Sequence, residues 1–470
     1  MGKIDNYIDF SKGASSTITS LKNKAVVVPS WKRLRLAYDA SQHEVLTDTQ
    51  NLRDKMRPDN TIEKSTRLSL GMEKLLVSRM SQFMFTIPPK RIYKNTEGNE
   101  TRQQIVKAIE AIYKHARITA HNLKRAEQYF ACCEIFTLWY VTKDPNTIYG
   151  FDCDYKLKCK TFSPKDGTAL YPLFDEHDDM IAMSIEYSRT VGTETVNYFE
   201  TWTEDRHYKW KNGLGAGGWE LAEPPTEIKI MKIPGIYLSR EEAIYEDVAE
   251  IRKEIEYTLS RNGNILSYNA APILKVIGEL VDDSERKGED QRVWRLEKGG
   301  EIGYVEWNQS NAAMSYQISQ LVDLFWTLSQ MPDISFANMQ KLGNIGYDAR
   351  ETLLTDAHLK VGDEAGDWLE AFDRETNVIK AFLKEMHTEW RDEIDNVEVE
   401  HAITPFIQKN EKEEISKRMT ANGGKPIESQ RESIVRYGMS LDPNKTMEEI
   451  RKEEEESASV AIPDIFGSGQ

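Results

Sequence analysis

Between residues 239 and 331 the apolar positions fall into two helical periods separated by a short stretch of strand period. Ile244, Val248, Ile251 and Ile255 recur at spacings of four, three and four, with Arg252, Lys253, Glu254 and Glu256 among them, which draws one apolar stripe along an amphipathic helix. Ahead of it Ser239-Arg240-Glu241-Glu242 has the form of a capping box, so the helix is expected to begin at Ser239 and run to about Tyr268, with only Gly263 interrupting the pattern. A second helix is expected from about Ser310, where Met314, Ile318, Leu321, Phe325 and Leu328 repeat at four-three-four-three, a spacing suited to packing on another long helix. Its other side carries Gln320, Asp323, Thr327 and Gln330, it holds no Lys or Arg, and Pro332 is expected to end it because the residue before a proline is driven out of the α region. Between the helices, 272–277, 293–296 and 302–307 read as strands. The charged gap 282–291 reads as a mobile loop.

The rest of the chain alternates the same two periods. Residues 1 to about 30 are rich in Ser, Lys and Asn with little periodicity, and the first sixty residues are expected to form an arm that is flexible at its start. From about 61, Leu68, Met72, Leu75, Leu76, Met80 and Phe83 share a helical face until Pro88-Pro89, and two more helices follow over 101–116 and 120–131. The period then changes to two, predicting strands over 135–141, 156–162, 168–174, 180–187, 195–202 and 207–211. Polar, turn-forming residues fill 333–345. A long helical pattern over 346–390 follows, with Leu353, Leu354, Ala357, Val361, Trp368, Phe372, Ile379 and Leu383 on its apolar face and Gly362 and Gly366 as places where it can kink. A strand at 397–401 precedes three short helices over 411–421, 427–437 and 447–456, the last opened by a second capping box, Thr446-Met447-Glu448-Glu449.

Helix, small β insert, helix, Met-Pro turn, polar loop and long helix, in that order, resembles the portal proteins of tailed bacteriophages. The three consecutive strands around Leu170-Tyr171-Pro172-Leu173-Phe174, Met183-Ser184-Ile185 and Tyr198-Phe199-Glu200-Thr201-Trp202 are similar to that family's wing. The resemblance covers about 61–456 and lies in element order, with no single motif carrying it. It implies an α+β ring subunit. Its parts are an N-terminal arm (1–60), a wing (61–238), a first stem helix (239–268), a clip (269–309), a second stem helix (310–331), a tunnel loop (332–346), a long wing helix with a return strand (347–404), and a crown and tail (405–470). It further implies a twelve-membered ring at one capsid vertex of the virion, assembled in the host bacterial cytoplasm, through which double-stranded DNA passes without sequence specificity. The partners it implies are the terminase large subunit, a head-tail adaptor, and the major capsid and scaffolding proteins. On this reading Gln320, Asp323, Thr327 and Gln330 line the channel. Phe336, Asn338, Gln340, Lys341 and Asn344 form the tunnel loop, and Lys275, Arg286, Lys287, Arg292, Trp294 and Arg295 belong to the docking clip. A scaffold or interaction protein of α+β build without a channel is the alternative.

Composition narrows the classes without choosing among them. At 470 residues, 29% of them charged, with a mean hydropathy of −0.59, the chain has no window apolar enough for a membrane helix, and the polar residues 1–20 give no secretory signal. A net charge of −16 argues against a broad basic footprint for gripping nucleic acid, while it suits a surface past which DNA slides without friction. Cys132, Cys133, Cys153 and Cys159 lack zinc-site spacing and read as reduced thiols of an intracellular product.

Catalytic and cofactor signals fail one by one, so no enzyme activity, cofactor or metal is expected. The Gly424-Lys425 pair is followed by Pro426 and preceded by Met419 where a phosphate loop needs glycine, which excludes a packaging ATPase. Gly213, Gly215 and Gly218 spell G-x-G-x-x-G between two expected strands and open no helix, contrary to a dinucleotide site. The eight histidines are scattered, no nucleophile has a triad context, and Asp152 and Asp154 read as a solvated acidic pair. Trp31-Lys32-Arg33 and Trp294-Arg295 read as cations lying along core aromatics.

Overall fold

A computed structural model of the chain describes residues 8, 13–23, 26–57, 59–212, 218–269, 274–277, 280–282, 295–296, 299, 301–304, 311–335, 338, 352–406, 416, 419–420, 423, 426, 428–437 and 442–460. The expected arm is in large part folded. Helix α1 (Ala14–Leu21) and helix α2 (Trp31–Tyr38) bury Ile18, Leu21, Leu34 and Tyr38. The Ser30 hydroxyl accepts from the Arg33 N–H at 3.4 Å and caps the second of them. Polar composition misleads here because each helix needs only two or three apolar residues, spaced three or four apart, to dock on a core supplied by distant segments. A hairpin of β1 (Lys55–Met56) and β2 (Ile62–Glu63) follows.

Helix α3 (Met72–Phe85), strand β3 (Lys90–Lys94), and helices α4 (Glu100–His115) and α5 (Ile118–Cys132) come next. The expected start of α3 near residue 61 moves to Met72, and Leu68 and Leu75 are partly exposed. Six long strands carry the wing: β4 (Glu134–Asn146), β5 (Cys153–Phe162), β6 (Ala169–Phe174), β7 (Met180–Val191), β8 (Glu194–Thr203) and β9 (Arg206–Asn212). β10 (Glu220–Glu227) and β11 (Gly235–Ser239) complete two antiparallel sheets, ordered β10-β9-β8-β7-β6 and β11-β4-β5. Leu170, Met183, Ile185 and Trp202 of the larger sheet pack on Phe136, Leu138 and Tyr237 of the smaller. The opposite face, with Ala182, Phe199 and Trp210, is closed by Ile18 and Leu21 of α1. Gly235 is obligatory at the junction, since a Cβ there would stand 2.4 Å from the Phe136 ring.

The first stem helix, α6, spans Ala249–Asn269 and is about 30 Å long at 1.5 Å per residue. The capping box at Ser239 does not form. Ser239 ends β11, paired with Glu134 of β4, and a sheet register outranks a local cap. A 3₁₀ turn, Glu246–Val248, leads into the helix, and the Glu246 carboxylate accepts from the Ala243 N–H at 3.0 Å.

An extended strap, residues 65–70, lies along α6. Leu70 donates its N–H to Glu256 Oε1 at 2.6 Å, Leu68 to Ser260 Oγ at 2.9 Å and Thr66 to Asn264 Oδ1 at 2.6 Å. Alternate amides of the strap thus meet every fourth residue of a helix. Two extended residues advance about 6.6 Å and four helical ones about 6.0 Å, so the two repeats nearly match. Gly263 belongs to this contact, because a Cβ there would lie 2.9 Å from Thr66 Cγ2.

Within the clip, β12 (Leu274–Ile277) pairs with β15 (Glu301–Tyr304), and β13 (Leu280–Asp282) with β14 (Arg295–Leu296). The charged loop expected over 282–291 lies, beyond Asp282, outside the described residues. The second stem helix, α7 (Asn311–Leu328), packs on α6. Helix α8 (Thr355–Met386) is assigned as one unbroken element through Gly362 and Gly366, about 48 Å long, and buries Val361, Trp368, Phe372, Ile379 and Leu383. Strand β16 (Glu398–Ala402) returns beside β3, with Val399 opposite Tyr93.

Residues 346–348 and 407–470 form a second unit. Its described helices, α9 (Gln430–Tyr437) and α10 (Pro443–Val460), pack on each other. Thr446 lies inside α10, so the second capping box does not form either. Asp442 stands ahead of the helix instead, its Oδ1 accepting from the Asn444 and Lys445 N–H groups at 3.0 and 3.2 Å.

Candidate channel and partner surfaces

Helix α7 is held mainly at its foot. Phe325 is fully buried and Trp326 nearly so, while Met314, Ile318 and Leu321 are half-buried. Leu328, expected on the packed stripe, is 55% exposed, and Tyr316 and Leu324 are exposed too. Gln320, Asp323 and Thr327 are exposed. Gln330 is exposed as well, but it stands beyond the helix with φ +55°.

That left-handed residue explains how the helix stops. Met331 donates its N–H to the Trp326 carbonyl at 3.3 Å and Gln330 to the Thr327 carbonyl at 3.1 Å, the two bonds of a Schellman motif, with buried Met331 and Trp326 as its apolar pair. Pro332 follows an end already made. Lys360 Nζ donates to the Ser329 carbonyl at 2.7 Å, and Arg79 stacks on Trp326 at 4.2 Å while donating to the Pro332 carbonyl at 3.1 Å. Asp333, 3.4 Å from Arg79, also accepts from Asn338 Nδ2 at 2.6 Å. Of the expected loop residues, Phe336, Gln340, Lys341 and Asn344 lie outside the described residues.

In the clip, Lys275 is exposed on β12 opposite Gly303, and Arg295 stands opposite Asp282. Arg286, Lys287, Arg292 and Trp294 lie outside the described residues. The glycine-rich run leads from β9 into β10, and no helix follows it. No group of three or more His, Cys, Asp or Glu able to hold a metal occurs among the described residues. No described helix is long and apolar enough to cross a membrane. The four cysteines are free, and burial pushes the Cys132, Cys133 and Cys159 thiols up to about 12.

Sequence reasoning placed Arg252 and Glu256 on the polar side of the stem helix, and both are buried. Arg252 lies 2.5 Å from Glu73 and 2.7 Å from Glu256, whose other oxygen is 2.6 Å from His43 Nδ1, with His43 Nε2 2.8 Å from the Ala37 carbonyl. Burial opposes the charge on Glu256, but His43, the Leu70 amide and Arg252 hold its carboxyl below the usual range. Burial outweighs Arg252 at Glu73 and raises it, whereas the bonds to Glu256 and Ala37 raise His43 against its own burial. The Arg252–Glu256 spacing of four was the visible signal. His43 and Glu73 had none, since only the fold brings them there.

Two face-packed sheets, a two-helix stem and a small β insert define an α+β protein. The chain belongs to the phage portal protein family of the SPP1 Gp6-like type, whose family model matches residues 27–460. Among solved structures, the neck of an empty GTA particle computed with C6 symmetry aligns at 11% identity with a TM-score of 0.39, covering 89% of this chain and 96% of that one. The neck of a native GTA particle computed with C12 symmetry aligns at 11% identity and 0.37, covering 90% and 98%. No curated protein matches.

Proposed function

We propose that this chain is the subunit of a ring, twelve-membered by family resemblance, set at one capsid vertex, through which double-stranded DNA is packaged and ejected. The observation that carries the reading is the state of α7. It holds no Lys or Arg, exposes Gln320, Asp323 and Thr327 on one stripe with Tyr316, and leaves Leu324 and Leu328, one turn apart beside that stripe, uncovered in one chain. The two leucines are covered when neighbouring copies pack stem against stem, and the polar stripe, free of cations and with Asp323 as its one acid, is then free to face a sliding polyanion. Lys341 is the loop cation assigned to phosphate. The clip, with Lys275 and Arg295 at its described strands, docks the terminase motor and later the adaptor.

Native mass spectrometry with negative-stain imaging of the purified protein tests this. Closed rings of about a dozen copies with a central hole are the expected result, and a compact dimer at every concentration would overturn it. Within rings, Lys341→Ala is expected to alter DNA packaging or retention without affecting assembly. Unchanged retention would remove that role.

A further inference from the structure

Strand β7 joins two surfaces of opposite charge. At one end, the β6–β7 turn exposes Glu176, Asp178 and Asp179, and with Glu204 and Asp205 of the β8–β9 turn it walls a cavity of about 920 Å³ that also holds Lys232 and Arg374. Further along the strand, a groove of about 600 Å³ opens between α5, the edge of β5, the second half of β7 from Ile185 to Arg189, and Glu200 and Trp202 of β8; its outermost cation, Arg189, stands ten residues, about 33 Å, from Asp179.

That second groove is cationic in a chain of net charge −16. Lys124, Lys160 and Arg189 line it and are exposed, the last two held over the Phe162 ring at 4.6 Å and the Tyr187 ring at 5.1 Å. Its two acids are already engaged: Asp166 accepts from Gln128 Nε2 at 2.6 Å, and Glu200 accepts from Tyr187 and lies 3.0 Å from His207. Arg125, only 4% exposed, also lines the groove, but Glu375 accepts from it at 2.9 and 3.1 Å and balances its charge, so the exposed Lys124, Lys160 and Arg189 make the groove cationic.

We infer that the acidic β6–β7 turn of one copy seats in the cationic groove of the next, as a head-to-tail contact between wings. The inference rests on the ring reading above and deepens it. Two unlike, complementary patches cannot satisfy each other about a twofold axis through either one, and repetition from copy to copy closes a ring when the rotation allows. Like charges on wrongly oriented neighbours are pushed apart, so the contact also sets orientation.

Charge exchange tests it. Lys160→Glu with Arg189→Glu alters one end, and Glu176→Lys with Asp179→Lys the other. Asp178 is left alone because its φ of +61° suits few side chains. All four positions are exposed, so the thermal unfolding of each variant is expected to match wild type, and neutral Gln and Asn replacements provide a second series. Each reversed pair should lower the ring fraction about ten-fold or more, and all four together should restore it to about wild type. Rings that form equally in wild type and in both one-ended variants would overturn the contact and leave the ring reading standing, as would a fourfold variant that fails to recover. Wild-type protein that forms no ring would overturn both.

Discussion

At the scale of single residues, the buried charges at the base of the stem decide more than the exposed ones. Arg252 bridges two carboxyl groups that have no access to water, so Arg252→Ala should cost about 3–5 kcal/mol in denaturant unfolding by stranding Glu73 and Glu256. His43 gives the same cluster a pH dependence. Its folded pKa is raised from 6.5, so its contribution is complete below 6.5 and is lost as pH rises through the higher folded value. Glu256, depressed from 4.5, contributes above 4.5 and loses that contribution as pH falls through its folded value. His43→Gln is therefore expected to flatten the decline in stability above pH 6.5 seen by chemical denaturation. Gln330 offers the opposite effect: a left-handed non-glycine costs about 1 kcal/mol, so Gln330→Gly should raise the unfolding midpoint. None of this was legible beyond the Arg252–Glu256 spacing, because His43, Glu73 and Arg252 meet only through tertiary packing, and a left-handed Gln has no sequence signature.

At the scale of elements, period was a better guide than capping. The six wing strands appeared where alternation placed them, since alternation reports which side of a sheet is buried. Both capping boxes failed because a Ser-x-x-Glu or Thr-x-x-Glu pattern is short enough to occur inside a strand end or a helix. Strand β3 went unseen: Lys90-Arg91-Ile92-Tyr93-Lys94 is too polar to declare itself without its partner β16. Gly263 looked like a flaw in the stem helix and is a contact with the strap. Glycine to alanine in a helix normally gains about 1 kcal/mol, but Gly263→Ala is expected to gain nothing and to speed hydrogen exchange at the Thr66 and Leu68 amides. Adding Thr66→Ser, which removes the clashing methyl, should recover both the gain and the protection, a coupling that a double-mutant cycle measures.

At the scale of the whole molecule, the family was legible from the order of helix, insert and helix, whereas the surfaces that join copies were not, because they pair residues far apart in the chain. Leu324→Asp with Leu328→Asp should reduce ring assembly in native mass spectra while leaving the circular dichroism of the single chain unchanged, since both side chains stand in solvent there. The strap along α6 works as a vernier, two rulers of slightly different pitch laid side by side. Each rung loses about 0.6 Å of register and turns about 40° around the helix, and the unequal reach of Glu256, Ser260 and Asn264 absorbs the error. A fourth rung would fall nearly 2 Å out of step. Among the described residues the ladder of strap amides therefore ends at Asn264, where the two repeats have run out of step.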